Sequence, residues 1–325
     1  MSALSTTYST YSAKGLREDL ENVIYNLSPT DTPFMSNGGR VSVKATTHEW
    51  QTDSLAAVDT ANAKVQGDNL STFTTVAAST RVGNYTQISR KDFSIAGTTE
   101  IVDKAGRASE LAYQAAKKAK ELKRDMEAIA LENIAGVAAS AGVAPTMATM
   151  GAWIKTNVAT VGTSGQNPAW TSGVPGYART DGSTRAITET LFKSVAQKVF
   201  TAGGTLSMVL AGPVNKQNIS KMSGIATKYN LARGTDSPMT IIGAADMYVT
   251  DFGNVQIVCD RFQRETDVWF VDPEYYGFGY LRPFQQVPLA KTGDAENRML
   301  LVEWTLVMKN EAAHGLCPDC DSVIQ

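Results

Sequence analysis

The chain has 325 residues, with 30 basic and 32 acidic side chains, a net charge of −2 and 43% apolar residues, enough for a large core and more than one structural unit. The even charge balance argues against a whole-protein electrostatic grip on nucleic acid or on an anionic membrane, and no stretch approaches the roughly 18 apolar residues of a membrane span. Three cysteines make no disulfide framework, and without a secretory pattern at the start the chain reads as cytosolic in origin.

The first element follows a polar tail of 14 residues. In "GLREDLENVIYNLSPTDTPF" (15–34), Leu16, Leu20, Val23, Ile24 and Leu27 recur at one face of a helix. Pro29 ends it, because the residue before a proline is pushed out of helical space. Pro29 and Pro33 are expected to hold the next segment extended. A helix of about three turns is marginal alone, so its apolar face needs a partner.

Gly38-Gly39 marks a turn, and "RVSVKATTHEW" then alternates Val41, Val43 and Ala45 with polar residues, as a half-exposed strand does. "STRVGNYTQISRKDFSI" (79–95) reads as a second strand. The span between them has few large apolar residues, and structureless loops beyond about 12–15 residues are uncommon in compact domains. A β-armed loop projecting from the body accounts for it; a surface hairpin with a loose tip is the alternative.

Residues 103–133 predict the clearest helix, with Leu111, Ala115, Ala119, Leu122, Met126 and Ile129 on one face. Lys117–Glu121 and Lys123–Glu127 are expected as i, i+4 pairs on the other. At about 1.5 Å per residue such a rod is roughly 46 Å long, which suits a scaffold better than an enzyme. Its basic cluster (Lys117, Lys118, Lys120, Lys123, Arg124) reads as a solvated face before it reads as a phosphate contact.

Residues 136–184 are rich in Gly, Ala, Ser and Thr and predict irregular loops anchored by Trp153 and Trp170. A helix over 184–204 ending at Gly203-Gly204, a strand "TLSMVLAGP" and a helix after Pro213 suggest an α/β unit. Strands dominate from Ala244 onward. No repeat at solenoid periods is visible.

Chemistry is hard to find. His48 and His314 are the only histidines, too isolated to suggest a triad. "GFGYLRP" lacks the third glycine and helix start of a dinucleotide fingerprint. In "HGLCPDC", His314, Cys317 and Cys320 have metal or redox spacing. No second CxxC completes a site, with Cys259 the one further thiol, so reduced structural thiols turned by Pro318 are favoured.

Three stretches carry a resemblance: "REDLENVIYNLSPTDTPF", "TIIGAADMYVTDFGNVQIV", and "YLRPF" followed by "LAKTGDAENRMLLVEWTLVMKNEAAHG". Together they resemble tailed-bacteriophage major capsid proteins of the Hong Kong ninety-seven type, in the branch of phage SU-ten. "CPDC" is not part of that pattern. The resemblance implies an α+β Hong Kong ninety-seven-type capsid fold: an N-terminal arm (1–36), an extended β loop (37–96), and a peripheral domain with its spine helix (97–149). An axial domain (150–285) and a return to the peripheral sheet (286–325) complete it. It implies no enzyme activity, no cofactor and no metal. The implied partners are the chain itself in hexamers and pentamers, a scaffolding protein, a portal, a decoration protein, and double-stranded DNA held without sequence-specific binding. No membrane is involved, and the location is the virion capsid after synthesis in host cytoplasm. Subunit-interface candidates are Leu16, Leu20, Val23, Leu27, Val41, Trp50, Arg81 and Tyr85. A nanocompartment shell of the same fold is the near alternative, with a hydrolase or another phage structural protein further off.

Overall fold

The computed structural model describes residues 29–67, 73, 75–171, 173–222, 247–291, 293–321 and 323. The predicted helix carrying Leu16, Leu20, Val23 and Leu27 lies outside them. The first described element corrects one expectation: Pro33 starts a helix, α1 (Pro33–Asn37), instead of prolonging an extended segment. At the first helical position the fixed φ suits a helix and the missing N–H is no loss. Phe34 of α1 is buried and stacks on Tyr276 with centroids 4.4 Å apart.

Each of the two predicted strands divides. The first becomes β1 (Gly39–Ser42) and β2 (Thr47–Thr52), and the second β3 (Thr80–Tyr85) and β4 (Gln87–Ala96). The rod is shorter than its periodicity suggests. A short helix α2 (Gly97–Ile101) and Gly106, at φ +79°, precede α3 (Glu110–Ala130), whose 21 residues span about 32 Å. The start is fixed by capping. Ser109 Oγ accepts the Ala112 N–H at 3.2 Å, and the Glu100 carboxylate accepts those of Glu110 at 3.0 Å and Leu111 at 3.3 Å. These are first-turn donors that the helix itself leaves unmatched. The buried stripe begins only at Leu122 and runs through Met126 and Ala130. Two surface pairs are also corrected. Lys118, not Lys117, reaches Glu121 at 2.8 Å, and Glu127 is fully buried with its oxygens on backbone N–H groups of α1.

Further along come α4 (Met150–Trp153), β5 (Ala169–Thr171), β6 (Val174–Tyr177), α5 (Glu189–Thr201), β7 (Met208–Ala211) and α6 (Pro213–Ser220). Gly203, at φ +91°, follows α5 in the left-handed conformation that glycine adopts without strain. The chain finishes with β8 (Met247–Thr250), β9 (Gly253–Cys259), β10 (Val268–Val271), β11 (Tyr276–Pro288), β12 (Ala295–Met308) and β13 (Gly315–Cys317).

Among the described residues two larger sheets form, in the orders β1-β11-β12-β4 and β13-β10-β7-β9-β8. In the first, β11 and β12 make a long antiparallel pair, β4 adds antiparallel to β12, and β1 runs parallel to β11. Helix α3 lies against β4 and is tied to it by Lys91–Asp125 at 2.6 Å. The second sheet separates two cores. Alternate residues of β7 and β10 point to opposite faces: Met208, Leu210, Trp269 and Val271 join the core under Trp153 and Trp304. Val209, Ala211, Val268 and Phe270 join the core of α5. Burial on both faces explains why "MVLA" and "VWFV" are unbroken apolar runs. No helix among the described residues is long and apolar enough to cross a membrane.

The strands cross the expected domain boundaries. Strand β1, within the 37–96 span, belongs to the body sheet, and β11 starts at Tyr276, before the boundary at 286. The last strand, β13, joins the five-stranded sheet and not the four-stranded one.

His314 precedes β13, fully buried, with Nδ1 accepting the Asp272 N–H at 3.3 Å and Tyr276 edge-on at 6.0 Å. Burial lowers its pKa to about 4, whereas an unfolded histidine titrates near 6.5. Between those values the unfolded chain binds the extra proton, so stability falls as pH drops from about 6.5 to 4, by about 3 kcal/mol in all. Urea unfolding of His314→Gln is expected to show a flatter acid limb; an unchanged limb contradicts the assignment.

Candidate assembly surface

Strands β2 and β3 form a two-stranded arm, in register from Thr47 opposite Tyr85 to Thr52 opposite Thr80. Beyond Thr52, every described residue as far as Arg81 is exposed. Among them Leu55, Val58, Val65, Phe73 and Val76 are 98, 91, 81, 80 and 91% exposed. Single exposed apolar residues are ordinary, but a concentration of bare large ones marks a surface that meets something else.

The root of the arm is held firmly. Asn84 is fully buried, and its side chain makes four hydrogen bonds. Nδ2 donates to Ala148 O at 2.9 Å and Leu306 O at 2.7 Å, while Oδ1 accepts the N–H groups of Ala148 at 2.7 Å and Tyr85 at 2.9 Å. That saturates the amide and joins the arm to β12 and to the segment before α4. Thr86 donates to Glu303 at 3.0 Å, and Glu303 is paired with Arg282 at 2.6 Å. On the other strand Trp50 stacks on Trp153 at 5.4 Å, and Trp153 meets Trp170 edge-on at 5.1 Å. The Lys155 ammonium caps the stack 3.7 Å above the Trp170 ring.

A second junction lies below. Glu127 of α3 accepts the N–H of Phe34 at 2.7 Å and of Met35 at 2.8 Å, and Tyr276 donates its hydroxyl to Phe34 O at 3.0 Å. Burial, with the Asp260 carboxyl alongside, pushes the pKa of Glu127 up to about 8. Burial raises Asp260 as well. Asp260 Oδ2 is buried with no donor, and a proton on the neighbouring Glu127 carboxyl supplies one. The pair thus binds α1, α3 and the end of β9 into one body. None of this is arranged for catalysis, and among the described residues no group of three His, Cys, Asp or Glu side chains could hold a metal ion.

The family described as SU10 major capsid protein matches residues 3–320. The chain belongs to that family. A major capsid protein of Escherichia phage Phieco32 is 40% identical over 126 residues, which span 39% of this chain and 36% of that one. The match therefore covers about a third of that relative's length. Among solved structures the chain is similar to the capsid of cyanophage A-1(L), with a TM-score of 0.63 at 10% identity over 96% of this chain and 98% of that one. It is also similar to the capsid of a native GTA particle, with a TM-score of 0.61 at 14% identity over 98% and 100%. At such identities the likeness shows the fold, which is the α+β Hong Kong ninety-seven type. The family is one of structural capsid proteins, not enzymes, which leaves the hydrolase reading without support.

Within this capsid protein the sequence-predicted interface residues separate. Arg81 is exposed and paired with Glu49 across the arm, an exposed pair that contributes little to stability. Tyr85 is half-buried where the arm meets the body. Trp50 is half-buried, with one face on Trp153, and Val41 pairs opposite Gly279 in the body sheet. Leu16, Leu20, Val23 and Leu27 lie outside the described residues. Sequence reasoning placed Trp153 only as an anchor of the 136–184 loops, and missed Asn84 and the Glu127–Asp260 pair as positioning groups. Asn84 alone carried a signal, since asparagine is depleted in strands yet stands inside "RVGNYTQI".

Proposed function

We propose that this chain builds an icosahedral phage shell by joining copies of itself into hexamers and pentamers around double-stranded DNA. One observation carries the reading: the bare apolar side chains of the arm, from Leu55 to Val76, on a root too well bonded to fold back. A neighbouring copy is the partner that covers them, with Arg81 and Tyr85 at the edge of that contact and Trp50 and Val41 behind it. The N-terminal face of Leu16, Leu20, Val23 and Leu27 is proposed to bury at or near the same boundary. In this reading β2–β3 is the extended loop, α3 the spine, the four-stranded sheet the peripheral domain and the five-stranded sheet the axial domain. Many weak contacts suffice, because each closed ring makes the next contact intramolecular. The net charge of −2 suits a wall that encloses DNA without condensing it. Scaffolding and portal proteins are the proposed assembly partners. Decoration proteins accompany the major capsid proteins in a solved structure from Phage G, similar to this chain with a TM-score of 0.52 at 11% identity over 99% of this chain and 100% of that one. The proposed site of synthesis is the host cytoplasm, and the final place is the virion capsid.

The test is to replace residues 53–79 with an Asn-Gly turn, which closes the Thr52–Thr80 pair as a tight hairpin. The variant is expected to unfold at nearly the same temperature as the parent and to form no shells by electron microscopy. Normal shells from the shortened chain contradict the proposal.

A further inference from the structure

The Cys-Pro-Asp-Cys turn after β13 has no part in the assembly account. Cys317 and Cys320 are both buried, unlike the exposed Cys259. The Cys320 thiol lies 3.7 Å from Cys317 Sγ and 3.4 Å from Cys317 O. The backbone around the pair is fixed from several sides. Asp319 sits at φ +57°, held there by its carboxylate, which accepts the N–H groups of Gly162 and Gly182, both at 2.9 Å. The Cys320 N–H donates to Thr266 O at 2.8 Å, and Arg185 exchanges backbone hydrogen bonds with Asp319 O at 2.8 Å and the Asp321 N–H at 2.6 Å. The Arg185 side chain reaches the same place, and its Nε and Nη2 are buried with no hydrogen-bond partner. A sulfur anion is the acceptor these donors lack.

We propose that Cys317 and Cys320 are a redox-convertible dithiol, closed by small-molecule disulfides into a bond within one chain. Side-chain rotation alone has to bring the sulfurs from 3.7 Å to the roughly 2.05 Å of a disulfide. Cys317 is the attacking group. Hydrogen bonding from the Cys320 thiol and the charge of Arg185 lower its pKa against the effect of burial, while the Cys320 thiol is raised. The Cys317 thiolate attacks one sulfur of the small disulfide, the sulfur–sulfur bond breaks, and one thiolate leaves and takes a proton. Cys320 then loses its proton and attacks Cys317 Sγ, expelling the second small thiolate. Two protein thiols give up two electrons and two protons, and one small disulfide becomes two thiols. Both thiols are buried, and the outer side of the three-residue β13 is bridged by Val158, so reaction with a small disulfide proceeds through local opening of this segment. Closure staples the turn that holds the 162–185 loops to the C-terminal strand.

The experiment uses full-length Cys259→Ser protein, reduced, desalted, exposed to oxidised glutathione, then denatured and alkylated. The expected product is about 2 Da lighter than the reduced chain, carries no alkyl group, and yields a Cys317–Cys320 peptide linked within one chain. Adding Cys320→Ser is expected to trap glutathione on Cys317, whereas adding Cys317→Ser leaves Cys320 free. Two alkylated cysteines after oxidation, a bond between chains, or stoichiometric zinc in the purified protein each overturn the proposal.

Discussion

Glu127→Ala is expected to lower the stability of the isolated chain by about 2–5 kcal/mol, because it strands one buried and one partly buried N–H donor, with a fully buried one costing about 1–3 kcal/mol. Those donors belong to Phe34 and Met35, at 2.7 and 2.8 Å from the carboxyl, so the loss falls where α1 docks on α3. The same carboxyl sets a pH dependence. Folded, it holds its proton up to about pH 8; unfolded, a glutamate releases it near pH 4.3. Between those values the folded chain binds more protons, so this part of the stability is complete at the low end and is lost as pH rises. Burial raises Asp260 in the same direction. The buried Tyr276 hydroxyl beside them, raised further by burial, stays neutral throughout. Since His314 acts only below about pH 6.5, chemical unfolding between pH 6.5 and 8.5 isolates the pair. Glu127→Gln keeps one acceptor and loses the titration, so its stability is expected to be nearly flat in that window. Wild-type stability that does not fall over the same range contradicts a shared proton.

Trp153→Ala is expected to cost about 3–5 kcal/mol, the range for removing a large buried aromatic. Trp153 is 1% exposed and lies between Trp50 of the arm and Trp170 of β5. Its removal therefore leaves a cavity at the arm's root as well as in the core. Trp153→Phe keeps most of the volume and also removes an indole N–H that is buried without a partner, so a loss below about 1.5 kcal/mol is expected. Thermal unfolding of both variants gives the comparison. An alanine variant as stable as the parent contradicts the view that this stack anchors the arm.

These groups show what the sequence makes legible. The short apolar strand holding "MVLA", the glycine stop of α5 and the strands of the C-terminal third are local patterns, and they could be read before any coordinates, whereas the pairing of "MVLA" with "VWFV" is not local. So could a projecting span between two alternating strands. Glu127 could not: four residues from Lys123, it reads as half of a surface pair, and only the non-local arrival of α1 makes it a buried acceptor. The start of α3 was missed for a related reason. Helical spacing runs back to residue 103, but Gly106 and the cap from Ser109 and Glu100 fix the boundary. Pro33 was expected to hold an extended segment, although a proline serves equally well as the first residue of a helix. For the assembly surface, the family-like stretches pointed to the right class of protein, while the root contacts of Asn84 and Trp153 depend on partners far away in sequence.

Electron microscopy of assemblies of the full-length chain, at a resolution that traces the backbone, decides whether the arm joins neighbouring copies. The account predicts closed shells tens of nanometres across, built of hexamers and pentamers, in which Leu55, Val58 and Val65 lie against a neighbouring copy. A chain that stays monomeric at every salt and protein concentration, or shells in which those side chains remain bare, would contradict it.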